Sequence, residues 1–168
     1  QSLEQIVPFL YEQGKTPFIV LLDGITDVRN FGAIARTCEC AGVDAIVIPA
    51  RNSVSVNADA VKTSAGALHT IPVCKENTIT DAIRFLKECG YTIIAATERA
   101  SQLYDKVDYT IPVALVMGSE DMGISSDNLR LATHLVRIPL FGTIASLNVS
   151  AAAAVLTYEV VRQRNVDL

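Results

Sequence analysis

The sequence predicts an α/β domain, a mainly parallel sheet flanked by helices on both faces. Three observations predict it. Short apolar runs alternate with amphipathic stretches along the chain. The apolar runs are continuous, as in strands buried on both faces. Gly, Asn, Asp, Ser and Thr sit between the two kinds of segment, where stops and caps belong.

Each element follows in order. Leu3, Ile6, Val7 and Leu10 have helical spacing, so residues 1–16 read as a linker and first helix ahead of a domain at 17–168. Phe18 to Leu22 is a strand. Asn30 is expected to cap a helix from Phe31 to Ala41, with Gly42 as its stop. Asp44 to Pro49 is a second strand, and Val56 to Ala65 a short helix ending at Gly66. Ile71 to Cys74 is a strand that Pro72 places near an edge. Thr80 is expected to cap a helix reaching Cys89, before Gly90. Strands follow at Tyr91 to Ala96, Val113 to Met117 and His134 to Pro139. Between the last two, Ser125 or Ser126 caps a short helix to Ala132. Asn148 caps a final helix to Arg164, rich in small residues at 151–154.

Composition narrows the function. The chain has 168 residues, half of them hydrophobic, and a net charge of −4. That length supports one domain with a sizeable core, and the hydrophobicity excludes disorder. No apolar run approaches the roughly 18 residues of a membrane helix. The acidic balance argues against a non-specific nucleic-acid binder. Cys38, Cys40, Cys74 and Cys89 lack zinc-ligand spacing and are too few for a disulfide scaffold, so free, mostly buried thiols in a reducing cytoplasm are expected. No metal site is expected. His69 and His134 form no catalytic set. The start at Gln1 rather than Met reads as a fragment, with 1–16 a remnant of a longer protein.

Three polar segments follow predicted strands, where open parallel sheets bind ligands. In the first, Asn30 holds a cap position. Gly32 would leave bare amides in the first helical turn, and Arg36 lies one turn on, able to reach back and grip a phosphate. The second, Gly118 to Gly123, has the length of a phosphate loop, but Ile124 stands where its lysine belongs, so no nucleoside triphosphate site is expected. Glu120 is a candidate acceptor or base there. The third runs from Ile138-Pro139 through Gly142 and Ser146 to Asn148 and Ser150, and can enclose a small ligand. Each segment can also be read as plain structure: a capped helix, a polar turn, a packed connection. No glycine-rich dinucleotide fingerprint is present.

Taken together, Asn30, Gly32 and Arg36, then Leu115 to Ser125, then Ile138, Pro139, Gly142 and Ser146 to Ser150 resemble the three signature motifs of the SpoU (TrmH) RNA ribose 2'-O-methyltransferases. Their order and spacing match over residues 17 to 164. Residues 56–67 further resemble the branch acting on a guanosine of large-subunit (23S) ribosomal RNA. That branch carries a small N-terminal RNA-binding domain.

The resemblance implies a catalytic domain at 17–168, with a deep C-terminal trefoil knot that periodicity could not have suggested. It implies S-adenosylmethionine as cofactor, RNA as substrate and a homodimer. Gly118, Ile138 and Leu147 would line the cofactor pocket. Asn30, Arg36, Glu120, Ser146 and Asn148 would be the polar active-site residues. An arginine is essentially never neutral in a protein, so Arg36 is assigned to phosphate gripping and the general base is left open. Ser150 is a second-line contact, and Arg29 and Arg51 are nearby basic residues. The alternatives are a transfer RNA methyltransferase, a catalytically silent RNA-binding or ribosome-assembly module of the same fold, and a small-molecule regulatory domain.

Overall fold

Among the described residues, seven strands form one all-parallel sheet in the order β3-β2-β1-β6-β4-β7-β5. The structure is a computed structural model and describes residues 1–51 and 57–165. The strands are β1 (Phe18–Asp23), β2 (Ala45–Pro49), β3 (Val73–Glu76), β4 (Thr92–Ala96), β5 (Gln102–Leu103), β6 (Val113–Gly118) and β7 (His134–Arg137). The helices are α1 (Leu3–Glu12), α2 (Val28–Cys40), α3 (Ala58–Thr63), α4 (Ile79–Glu88), α5 (Ser126–Leu131) and α6 (Val149–Arg164).

Strand alternation divides the core in two. Phe18, Val20 and Leu22 point into a layer shared with Phe31 and Ile34 of α2 and with Ala153, Leu156 and Val160 of α6. Ile19 and Leu21 point the other way, into a layer with α1 and α4. Because both faces are covered, the central strands β1, β2, β4 and β6 are apolar along nearly their whole length, which is the signal the sequence carries. Leu3, Ile6, Val7 and Leu10 are all buried, so α1 belongs to this packing. Val73–Glu76 is an edge strand, as Pro72 implied.

Several boundaries differ from expectation for identifiable reasons. Asp27, not Asn30, caps α2: its side chain accepts from the Asn30 amide at 2.9 Å. The helix therefore begins three residues earlier than expected, and Asn30 lies inside its first turn. Thr78, not Thr80, caps α4 by accepting from the Asp81 amide at 3.0 Å. Asn57 caps α3, and Val56, the expected start of that helix, lies outside the described residues. Strand β5 was not foreseen. It has two residues and, among the described residues, pairs with β7 alone, too little for a sequence pattern to register. Of the cysteines, Cys38 and Cys74 are buried, Cys89 is half-buried and Cys40 is exposed, so "mostly buried" holds for only part of the set. Burial pushes the Cys38 thiol up to about 12 and the Cys74 thiol up to about 11.

At the opposite end of the sheet from the polar loops, Arg164 ties the last turn of α6 to the strand starts. Its guanidinium donates to the carbonyls of Tyr109 (2.8 Å), Thr16 (2.8 Å), Pro17 (3.1 Å) and Ile111 (2.9 Å). It also lies 5.6 Å from the centroid of the Phe18 ring. Hydrogen bonds from a charged donor each contribute about 1.5–3 kcal/mol, and a planar fork serves several acceptors at once. Arg164→Ala is therefore expected to lower unfolding stability by about 3 kcal/mol in urea titration, with Arg164→Lys recovering only part of the loss.

Candidate functional site

The carboxyl ends of β4, β6 and β7 open into a cleft of about 280 Å³. Two loops supply much of its wall. One is the turn Gly118 to Ile124 after β6. The other is the connection from β7 to α6, which contributes Ile138, Leu140, Ser146 and Leu147. The floor is apolar, with Met117, Val136, Val149, Ala152 and Leu156. Thus Gly118, Ile138 and Leu147, singled out from the sequence, face one cavity together with Glu120 and Ser146. Sequence reasoning missed Thr97, Glu98 and Arg99, which follow β4 and also line it. Their position directly after a buried strand is the signal available in the sequence.

The turn after β6 is tightly folded. The Gly123 amide donates to the Ser119 carbonyl at 2.8 Å, and the Met122 amide donates to Ser119 Oγ at 3.1 Å. This brings the chain back over Gly118, where a Cβ would lie 2.3 Å from the Gly123 carbonyl carbon and 2.4 Å from the Ile124 nitrogen. Both contacts are with backbone, so no side chain is accommodated at Gly118.

A hydrogen-bonded cluster of three predicted residues forms at the cleft's edge. Asn148 Nδ2 donates to Glu120 Oε1 at 3.0 Å and to Asn30 Oδ1 at 3.3 Å. Glu120 Oε1 also accepts from the Val149 amide at 3.0 Å. The carboxylate thus caps the positive end of α6, where negative charge is favoured. Asn148 Oδ1 accepts from the Ser150 amide at 2.9 Å and from the Ser150 hydroxyl. Asn148 is the expected N-cap, and its amide group also joins the three motifs.

Arg36 is not part of this cluster. It is exposed and, among the described residues, has no hydrogen-bond or ion-pair partner. Six residues beyond Asn30, it is rotated by about 120° around α2 from that position. The expected role of Gly32 is corrected. Because α2 begins at Val28, Gly32 lies beyond the helix's first residues and is buried under α3 rather than open to an anion. A Cβ there would sit 2.6 Å from Thr63 Cβ and 2.9 Å from the Ala60 carbonyl oxygen. The glycine permits close helix packing. Gly32→Ala is accordingly expected to cost about 1–3 kcal/mol of stability, as overpacking does, measured by denaturant unfolding.

Among the described residues, no cluster of His, Cys, Asp or Glu has the arrangement of a metal site. No helix among them is long and apolar enough to cross a membrane.

A doubly covered parallel sheet with a cleft at its carboxyl end, bordered by a glycine turn and a capped helix, defines an α/β domain built to bind a small organic ligand. The SpoU rRNA Methylase family profile matches residues 17–158, and the chain belongs to that family. A 23S rRNA (guanosine-2'-O-)-methyltransferase RlmB of Yersinia pestis is 38% identical over 98% of this chain and 67% of its own length. The RlmB of Ralstonia nicotianae is 37% identical over 89% of this chain and 60% of its own length. The chain thus spans about two thirds of these relatives or less. Among solved structures, an AdoMet-bound rRNA methyltransferase from Sinorhizobium meliloti superposes with a TM-score of 0.80 at 32% identity, covering 87% of this chain and 56% of that one. The A. aeolicus TrmH/SpoU tRNA modifying enzyme gives 0.81 at 29% identity, covering 98% and 85%.

Proposed function

We propose that this chain catalyses methyl transfer from S-adenosylmethionine to a ribose 2'-hydroxyl of RNA, at a guanosine of 23S ribosomal RNA. The observation that carries the reading is the joining of Asn30, Glu120 and Asn148 at the lip of the cleft. Those residues come from three different motifs, and they meet beside a cavity of the right character for the cofactor. Its floor is apolar, for a nucleoside and a methylene chain, and its rim carries Glu98, Glu120 and Asp121 together with Arg99 and Arg137, charges of both signs for a ligand with cationic and carboxylate groups. The RlmB relatives favour ribosomal over transfer RNA.

Gly118, Ile138 and Leu147 would hold the cofactor, offering mainly backbone groups. Bound there, it supplies a methyl group on a positively charged sulfonium. The remaining work belongs to the protein. An attacking hydroxyl must lie in line with the methyl group, and such positioning supplies much of the rate. Asn30, Glu120 and Asn148 form a hydrogen-bonded frame for the ribose, with Ser146 beside it and Ser150 behind Asn148. Arg36, exposed and permanently charged, grips the neighbouring phosphate. Arg29 and Arg51, both exposed, add to the local positive charge that an acidic chain needs in order to dock RNA.

Two structural readings go with this function. The chain leaves β6 between β1 and β4, crosses through α5 to β7 on the far side of β4, and returns through residues 138–148 to pack α6 against α2. We take that return as the expected trefoil knot. Helix α6 also carries two apolar stripes. Val149, Ala153, Leu156 and Val160 are buried in the core. Ala151, Ala154, Val155 and Tyr158, at helical i, i+3, i+4, i+7 spacing, face outward and are exposed or half-buried. This second stripe supports a homodimer contact along α6. The four free cysteines fit a cytoplasmic setting.

Calorimetric titration with S-adenosylmethionine is expected to show saturable binding near one site per subunit. Arg36→Ala should then lower methyl transfer to 23S ribosomal RNA about 10²-fold or more while leaving cofactor affinity within about twofold. Unchanged transfer would remove Arg36 from the mechanism. A folded chain that binds RNA but no cofactor would point to the silent module.

A further inference from the structure

The Gly118–Ile124 turn forms one wall of the cleft, and beyond Gly118, the last residue of β6, it belongs to no helix or named strand. Both of its ends lead to Asp23, the last residue of β1. At the entry, Asp23 is the register partner of Gly118 in the parallel β1–β6 pair. At the exit, Asp23 Oδ2 accepts from the Ser125 amide at 3.0 Å. One residue therefore sets where the turn starts and where it stops.

That carboxylate is itself held. Asn128 Nδ2 donates to Asp23 Oδ2 at 2.9 Å, and Asn128 Oδ1 accepts from the Thr80 hydroxyl at 2.6 Å. Asn128 is 2% exposed, so both ends of its amide are satisfied within the protein. Thr80 is free for this bond because Thr78 supplies the cap of α4. A buried amide whose acceptor loses its donor cannot turn to water, so the strut is sensitive to each member.

We infer that Thr80, Asn128 and Asp23 form a positioning strut that holds the Gly118–Ile124 turn in its ligand-binding shape and so sets affinity for S-adenosylmethionine. None of the three lines the cleft, and they act through the turn. The inference rests on the methyltransferase reading for its ligand but not for its mechanics.

The test compares Thr80→Val, which keeps shape and removes the donor, with Thr80→Ser, which restores it. In Thr80→Val, the dissociation constant for S-adenosylmethionine measured by calorimetry should rise about 3- to 10-fold, the loss expected for one hydrogen bond. Amide hydrogen exchange over residues 119–124 of the cofactor-free protein should quicken. At saturating cofactor, kcat should stay within about twofold of the parent, because the bound ligand holds the turn and Glu120 keeps its bonds to Asn148 and to the Val149 amide. Thr80→Ser should return both binding and exchange toward the parent values. A lowered melting temperature with unchanged affinity and unchanged exchange would overturn the strut and leave Thr80 a merely structural residue. Failure of Thr80→Ser to restore either readout would do the same. If the parent chain binds no S-adenosylmethionine, the methyltransferase reading falls, and the exchange measurement alone decides whether the strut holds the turn.

Discussion

Parallel pairing of β1 with β6 is the constraint on which the rest depends. Six register pairs, from Phe18 with Val113 to Asp23 with Gly118, join segments far apart in the chain. Their apolar side chains alternate between two covered faces, so slipping the register by one residue would move each side chain to the wrong layer. Fixing that register brings the start of α2 and the turn after β6 to the same end of the sheet. The return of the chain through residues 138–148 then delivers Asn148 to both of them. A polar cluster drawn from three distant segments is thus a consequence of hydrophobic strand pairing.

Glycines in the signature motifs serve packing as much as chemistry. Gly118 lies under its own turn with backbone atoms where a Cβ would stand, and Gly32 lies under α3. Neither needs a left-handed conformation. What each supplies is the absence of a side chain at a close approach. In the same segments the polar side chains are committed to one another. Glu120 and Asn148 between them satisfy the amides of Val149 and Ser150 at the start of α6. The groups that would face a substrate are therefore held by bonds that also stabilise the helix. Rigidity of this kind suits a reaction in which alignment supplies much of the rate.

The overall charge and the proposed substrate pull in opposite directions. A net charge of −4 gives no general attraction to a polyanion. Positive charge is present locally all the same, with Arg99 and Arg137 on the cleft and Arg29 and Arg36 exposed on α2. Docking through a few local arginines, as the proposed function requires, would favour geometry over bulk electrostatics.

The sequence by itself determined the layer architecture, because continuous apolar runs suit only strands buried on both faces. It also determined the N-cap of α6, since Asn148 directly precedes a long helical pattern with no competing cap. The caps of α2 and α4 were misassigned, each to a residue two or three positions late. Asp27 and Thr78 were equally good caps, and choosing between neighbours requires the backbone to be in place. Sequence reasoning singled out Glu120, Ser146 and Asn148 as motif members, of which Glu120 and Ser146 line the cleft. It could not show that one amide of Asn148 joins two other motifs, that Arg36 stands apart from them, or that Asp23 holds both ends of the turn. Those relations depend on strand order, β6 lying between β1 and β4, and strand order is set by the burial of whole surfaces rather than by any local pattern.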